Sequence, residues 1–201
     1  MITTILLTCL GFLLGSIPFS VVVGHMMLGV DIRTVGDGNP GATNVLRAGG
    51  GVGGFLLAGL LDYLKAAALP AIAWFGLKID DLALIPIALA GVYGHAFSPF
   101  LNWQGGKAIA ATFGMWSGLT LAEIPTILGL MLALWFIVLT VDGWAVIFAF
   151  LPLSIYLWWL HPPAFLGIWV GNFMLLLYKH RKELSQPLRL KPINLFPNTQ
   201  S

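Results

Sequence analysis

Twelve consecutive residues, Gly36-Asp37-Gly38-Asn39-Pro40-Gly41-Ala42-Thr43-Asn44-Val45-Leu46-Arg47, read as a polar loop that surrounds one fixed cation with backbone and side-chain N–H donors. That is the donor set of a phosphate or carboxylate site. Within the loop, Asn39-Pro40-Gly41 predicts a tight turn, with Pro40 fixing φ and Gly41 at positive φ, so that successive N–H groups aim at one point. A polar excursion of roughly 20 residues costs ordering entropy that an ordinary connection avoids, which favours a functional loop.

Three further groupings carry chemistry. The stretch from Gly94-His95 to Gln104-Gly105-Gly106-Lys107 places two glycines, where a backbone can approach a ligand closely, before a lysine that opens the next helix and adds to its positive end. Asp62 and Lys65, three apart on one helical face, predict an ion pair turned away from lipid. In Lys179-His180-Arg181-Lys182-Glu183, a basic flank facing lipid headgroups accounts for Arg181 and Lys182 and leaves His180 unexplained.

Other phosphate motifs fail on context. The pattern G-x-G-x-x-G occurs at Gly36/Gly38/Gly41 and at Gly49/Gly51/Gly54, but no strand precedes either match and no βαβ unit surrounds it. Gly106-Lys107 lacks the upstream glycine and the following Ser/Thr of a P-loop.

These groups are embedded in a chain that is 58% hydrophobic and 9% charged, with mean hydropathy +0.90, the composition of an all-α integral membrane protein. Ten Lys/Arg against eight Asp/Glu leave no basic face for nucleic acid, and the single Cys9 cannot close an intramolecular disulfide. The N-terminus lacks a basic n-region and its apolar run is too long for a signal peptide, so it reads as an uncleaved span. Cutting the chain at charged, Gly and Pro clusters gives about seven segments near 3–28, 51–75, 82–100, 106–122, 124–140, 143–160 and 163–180, with six or eight left open. They form a single polytopic membrane domain over 1–201. With seven spans, Arg33, Arg47, Lys107 and the basic tail share one side and only Lys78 lies opposite, which predicts an outside N-terminus and a cytoplasmic C-terminus. Every polar grouping then faces the cytoplasm. Gly11 and Gly15 are spaced for close helix contact, and Trp144, Trp158, Trp159 and Trp169 read as interfacial anchors.

Taken in order, Gly38-Asn39-Pro40-Gly41-Ala42-Thr43-Asn44-Val45-Leu46-Arg47, Asp62/Lys65, Gly94-His95 with Gly105-Gly106-Lys107, and His180-Arg181 resemble the bacterial acyl-phosphate-dependent glycerol-3-phosphate acyltransferases of PlsY type. The resemblance covers nearly the whole chain. It implies a seven-span enzyme of the bacterial inner membrane, its active site facing the cytoplasm. Such an enzyme moves an acyl chain from acyl phosphate to glycerol 3-phosphate and makes lysophosphatidic acid, with the lipid bilayer as its other partner. An acyl phosphate is already activated, so neither cofactor nor metal is called for, and the donor's own phosphate could take the hydroxyl proton. By motif, Arg47 and Lys107 would neutralise phosphate. Gly38, Asn39, Gly41, Thr43, Asn44, His95, Gly105 and Gly106 would bind and orient substrate, and His180 would position the acceptor or handle a proton.

Three positions depart from the family pattern. Asp37 stands for the usual serine, Gln104 for a lysine (with Ala108 for a glycine), and Glu183 for an asparagine. Each of the three adds one unit of negative charge to a site for anions. Asp37 thereby becomes a candidate general base in place of the serine. The alternatives are a diverged relative acting on another acceptor, or a non-catalytic or transport-type binder of a phosphorylated lipid precursor.

Overall fold

The computed structural model describes residues 1–192. Its α-helices are α1 Ile2–Ser16, α2 Phe19–Leu28, α3 Ala42–Val45, α4 Gly51–Ala71, α5 Leu84–Ala96, α6 Ile109–Thr120, α7 Glu123–Val138, α8 Asp142–Phe150, α9 Leu153–Leu160 and α10 Pro163–Leu184. Among the described residues, four stretches are long and apolar enough to cross a bilayer, namely Ile2–Leu28, Ala42–Gly76, Leu84–Leu101 and Asp142–Leu160.

The first expected span is not one helix. Ile17, preceding Pro18, takes ψ 121 and separates α1 from α2, because the proline ring pushes the residue before it out of the helical region. The 12 residues of α6 rise only about 18 Å, short of the roughly 30 Å hydrocarbon core. Residues 106–108, expected as helix, are instead an irregular approach to α6.

Small residues set the helix contacts. A Cβ on Gly15 would stand 2.6 Å from the Gly91 Cα, so α1 and α5 meet backbone to backbone. Gly114 and Gly118 of α6 lie in the same way against the Tyr63 and Ala67 carbonyls of α4. Packing of this kind stands in for the hydrophobic effect where lipid surrounds the protein. The main core fills with Trp116, Phe150 and Phe165, all buried. Within it the buried Asn172 is paired on both sides, accepting from the Trp116 indole (3.3 Å) and donating to Thr112 (3.0 Å). Trp158 and Trp159 are exposed, as interfacial anchors would be. Trp169 is not an anchor: it donates to the Phe150 carbonyl at 3.0 Å and stacks on Phe173.

A smaller cluster of Val23, Ile32, Val45 and Ala58 binds the segment between α2 and α4 onto those helices. Ile32 and Val45 are fully buried, so the polar segment has an apolar underside that fixes its place.

Candidate functional site

Part of the expected loop is helical. Ala42–Val45 form α3, and Leu46–Gly50 continue as a wide π turn that carries Arg47. Positive φ falls at Gly36 (61°) and Gly38 (72°), not at Gly41, whose φ of −129° is extended because Gly41 caps α3. The Asn39-Pro40-Gly41 turn is tight all the same, with the Gly41 N–H donating to the Asn39 carbonyl at 2.8 Å. That bond uses an N–H expected to face a ligand.

Asn44 closes the loop on itself. Its buried amide reaches three acceptors: the Val35 carbonyl (2.9 Å), the Asn39 carbonyl (2.9 Å) and Asp37 Oδ1 (3.1 Å). Two amide hydrogens serve three oxygens, so Asn44 is committed to the loop rather than free for substrate. Its oxygen accepts from Arg47 Nη1 at 3.1 Å, and the same nitrogen lies 3.6 Å from Asp37 Oδ1. Thr43 is exposed beside this knot.

Lys107 joins this loop to the C-terminal helix. Its Nζ donates to Asp37 Oδ2 at 2.7 Å and also to Glu183 Oε1. Burial raises the Asp37 carboxyl, but hydrogen bonds from Lys107, the Asn39 N–H and Asn44 outweigh it and hold the group below its usual range. Burial likewise lowers Lys107, and its two carboxylate partners reverse this and hold the ammonium above its usual range. Two of the three charge-adding departures thus meet on the one lysine expected to bind phosphate. Arg47 and Lys107 face Asp37 and Glu183, so the cluster is close to neutral.

His180 is buried one turn before Glu183, and its Nδ1 lies 2.9 Å from the Leu176 carbonyl. A carbonyl can only accept, so Nδ1 carries the hydrogen and Nε2 of the neutral ring is an acceptor. Gly143, at the start of α8, makes room for this face, where a Cβ would stand 2.7 Å from the Glu183 Cβ. Glu183 was singled out in the sequence only as a departure. Its spacing of three from His180, which puts both on one helical face, is the signal that joins it to the site.

The second loop differs from expectation. Gly105 and Gly106 are buried, and their N–H groups donate to the Ala96 and His95 carbonyls, each at 3.1 Å. The close approach that these glycines permit is to the protein's own α5, since a Cβ on Gly106 would overlap the His95 ring. His95 therefore lies behind the loop and outside the cluster around Lys107. Lys179 is drawn in too, donating to the Ala96 and Gly105 carbonyls, each at 2.8 Å. Ala108 takes φ 67°, a left-handed conformation suited to the glycine of the family pattern.

Two recesses lie near the two loops. A polar one of about 340 Å³ is lined by Asp31, Arg33, Gly38, Asn102 and Gln104. Arg33 is spent there on Asp31, whose carboxyl its hydrogen bonds hold at about 2. An apolar groove of about 630 Å³ runs between α1 and α5, and Phe12 on its wall packs against Trp103 at 6.4 Å, next to Gln104.

The fold and cluster define an integral membrane protein whose two cations and paired carboxylates sit at the end of a helical bundle. The chain belongs to the glycerol-3-phosphate acyltransferase family, whose model matches residues 5–189. A glycerol-3-phosphate acyltransferase 1 of Thermotoga maritima is 37% identical over 195 residues, covering 89% of this chain and 94% of the relative. A glycerol-3-phosphate acyltransferase of Shewanella halifaxensis is 39% identical, covering 79% of this chain and 78% of its own length. Among solved structures, the chain is similar to PlsY (YgiH), an integral membrane glycerol 3-phosphate acyltransferase. The glycerol 3-phosphate form matches with a TM-score of 0.80 at 32% identity, covering 91% of this chain and 90% of that one. The lysophosphatidic acid form matches with a TM-score of 0.81 at 29% identity over the same shares.

Proposed function

We propose that this chain transfers a fatty acyl group from acyl phosphate to the hydroxyl of glycerol 3-phosphate, giving lysophosphatidic acid and inorganic phosphate for phospholipid synthesis. The observation that carries the reading is the meeting of Lys107, Arg47, Asp37 and Glu183 in one cluster beside His180, within a chain of this family. In the reaction the acceptor oxygen attacks the acyl carbonyl carbon, the carbon–oxygen bond to phosphate breaks, and the hydroxyl proton passes to a base. Lys107 and Arg47 neutralise phosphate as charge gathers on the leaving group.

Asp37 changes character during binding. Paired with Lys107 it is a weak base. An incoming phosphate that takes Lys107 removes this partner, and the carboxylate, still within reach of the Asn39 N–H and Asn44, gains basicity. It then shares with the leaving phosphate the role of proton acceptor. His180 Nε2 orients the acceptor hydroxyls, while Asn39, Thr43 and Gly38 line the approach and Gly41, Asn44, His95, Gly105 and Gly106 hold the two loops. The apolar groove between α1 and α5 takes the acyl tail. We read the chain as one polytopic unit crossing the bacterial cytoplasmic membrane seven times, the short α6 making its crossing buried among α4, α5 and α7 rather than against lipid. The N-terminus is outside and the cluster is at the cytoplasmic surface, where both water-soluble substrate and lipid product are accessible. The one-sided basic residues support this sidedness.

The test is direct. Purified protein given acyl phosphate and glycerol 3-phosphate releases phosphate and forms lysophosphatidate, and Lys107→Ala lowers the rate by about 10²–10³-fold, the usual effect of losing one such donor. No turnover by the wild type across pH and added Mg²⁺ would overturn the reading. Turnover restricted to another acceptor in a screen with one acyl phosphate would redirect it.

A further inference from the structure

A charged network lies inside the bundle, behind the site. Asp62 and Lys65 of α4, both buried, stand 2.6 Å apart as an ion pair. Ser20 of α2 donates to Asp62 Oδ2 at 2.5 Å, and Lys65 Nζ donates to the Ile17 carbonyl at 2.6 Å. Lys65 is thereby a second donor to a carbonyl that also accepts from the Phe19 N–H at 3.0 Å where Pro18 breaks the first span, which gives the lysine a local partner. Nothing so local accounts for Asp62. Buried ion pairs are often no more stable than well-packed apolar residues, and in a membrane helix they are costly.

What Asp62 faces is His95. The Asp62 Oδ1 to His95 Nδ1 distance is 3.5 Å, and Nδ1 has no hydrogen-bond partner among the described residues. The opposite edge of the ring, at Nε2, lies against Gly106, where a Cβ would collide with it. The ring therefore acts as a spacer with the carboxylate on one side and the loop on the other. The His95 and Ala96 carbonyls hold the Gly106 and Gly105 N–H groups, and Lys179 clamps the same turn from α10. The next residue is Lys107.

We propose that Asp62 is a positioning residue for Lys107, acting through the His95 ring and the Gly105-Gly106 turn; this rests on Lys107 being the phosphate-binding cation of the proposed reaction. Asp62 draws the Nδ1 edge toward α4, which fixes the ring plane and the seat of Gly106, and Lys107 inherits its position from that seat. A site of this kind tolerates little displacement, since misplacement of about 1 Å costs as much as a hundredfold in rate.

The experiment is amide hydrogen exchange on the full-length protein in lipid nanodiscs, comparing wild type with Asp62→Asn and Ser20→Ala, alongside turnover of acyl phosphate and glycerol 3-phosphate. Exchange of the Gly105 and Gly106 amides is expected to quicken at least about tenfold in Asp62→Asn and less in Ser20→Ala, with the Phe165–Leu176 stretch of α10 unchanged. Turnover falls in the same order, with the KM for glycerol 3-phosphate shifting less than kcat. Unchanged exchange at the two glycines, or an equal rise throughout α4, α5 and α10, overturns the proposal. So does full turnover in a variant whose glycine amides exchange faster. Should Asp62→Asn not fold, Ser20→Ala decides by the same criteria. An inactive wild type removes the acyltransferase reading, while the exchange result still decides whether Asp62 seats the loop.

Discussion

Lys107 Nζ donates to Asp37 Oδ2 across 2.7 Å, tying together two loops 70 residues apart in sequence, and its second bond goes to Glu183. A substrate phosphate must therefore compete with two carboxylates of the protein for one ammonium. A charge-assisted hydrogen bond contributes about 1.5–3 kcal/mol, with the lower end fitting these partly exposed groups. Glu183→Gln is expected to lower the inhibition constant of inorganic phosphate, measured against acyl phosphate, by about tenfold at low salt. The advantage shrinks as salt screens the cluster. An inhibition constant unchanged at low salt would show that Glu183 does not compete for Lys107.

The same pair fixes a pH dependence. Asp37 lies below its usual range, so its contribution to stability is present above the unfolded carboxylate value near 3.8 and is lost as pH falls through the lower folded value. Lys107 lies above its usual 10.5, so its contribution is complete below that value and is lost as pH rises through the higher folded one. Neither group of the free protein titrates between about pH 5 and 9. The ratio of kcat/KM for wild type to that for Asp37→Asn is accordingly expected to stay flat over this range, whatever the ionisation of the substrates does to each curve. A ratio that bends between pH 5 and 9 would mean that the pair is already broken in the free enzyme.

The local parts of this arrangement are legible in the sequence, and the joints between them are not. The Asp62–Lys65 pair follows from a spacing of three in an apolar helix, and the Gly15 contact from small residues four apart on α1. The break at Ile17–Pro18 was equally available from the proline but was hidden under continuous hydrophobicity. Gly41 carries no mark that distinguishes a helix cap from a left-handed turn residue, and the neighbouring Gly36 and Gly38 took the positive φ instead. Gly105 and Gly106 look the same in sequence whether they approach a ligand or a histidine ring. The meeting of Asp37, Lys107 and Glu183 depends on three elements far apart in the chain, and no periodicity encodes such a distance. The extra charges were visible one at a time; their convergence on a single ammonium needed the fold.

The groove between α1 and α5 makes a prediction about chain length. Cys9 is exposed on its wall, and Cys9→Trp places an indole where the acyl tail would lie. Displacing about two methylenes costs about 1.6 kcal/mol, a little over tenfold in affinity. The KM for a long-chain acyl phosphate is expected to rise by about that factor while that for a short-chain donor stays constant. An equal change for both lengths would place the tail elsewhere.

Gly15 tests the contact that forms one side of that groove. A Cβ there would come within 2.6 Å of the Gly91 Cα and 2.7 Å of its carbonyl carbon, backbone atoms that cannot rotate aside. Gly15→Ala must therefore push α1 away from α5, and overpacking of this kind costs about 1–3 kcal/mol. Gly53 of α4 is the matched control, because a Cβ at that position meets nothing within 4 Å. Replacing a helical glycine with alanine there should stabilise by up to about 1 kcal/mol. Thermal unfolding in one detergent is expected to move in opposite directions for the two variants, down for Gly15→Ala and level or up for Gly53→Ala. Equal midpoints would mean that α1 and α5 can separate without cost, and the groove between them would then lack the fixed wall needed to measure an acyl chain.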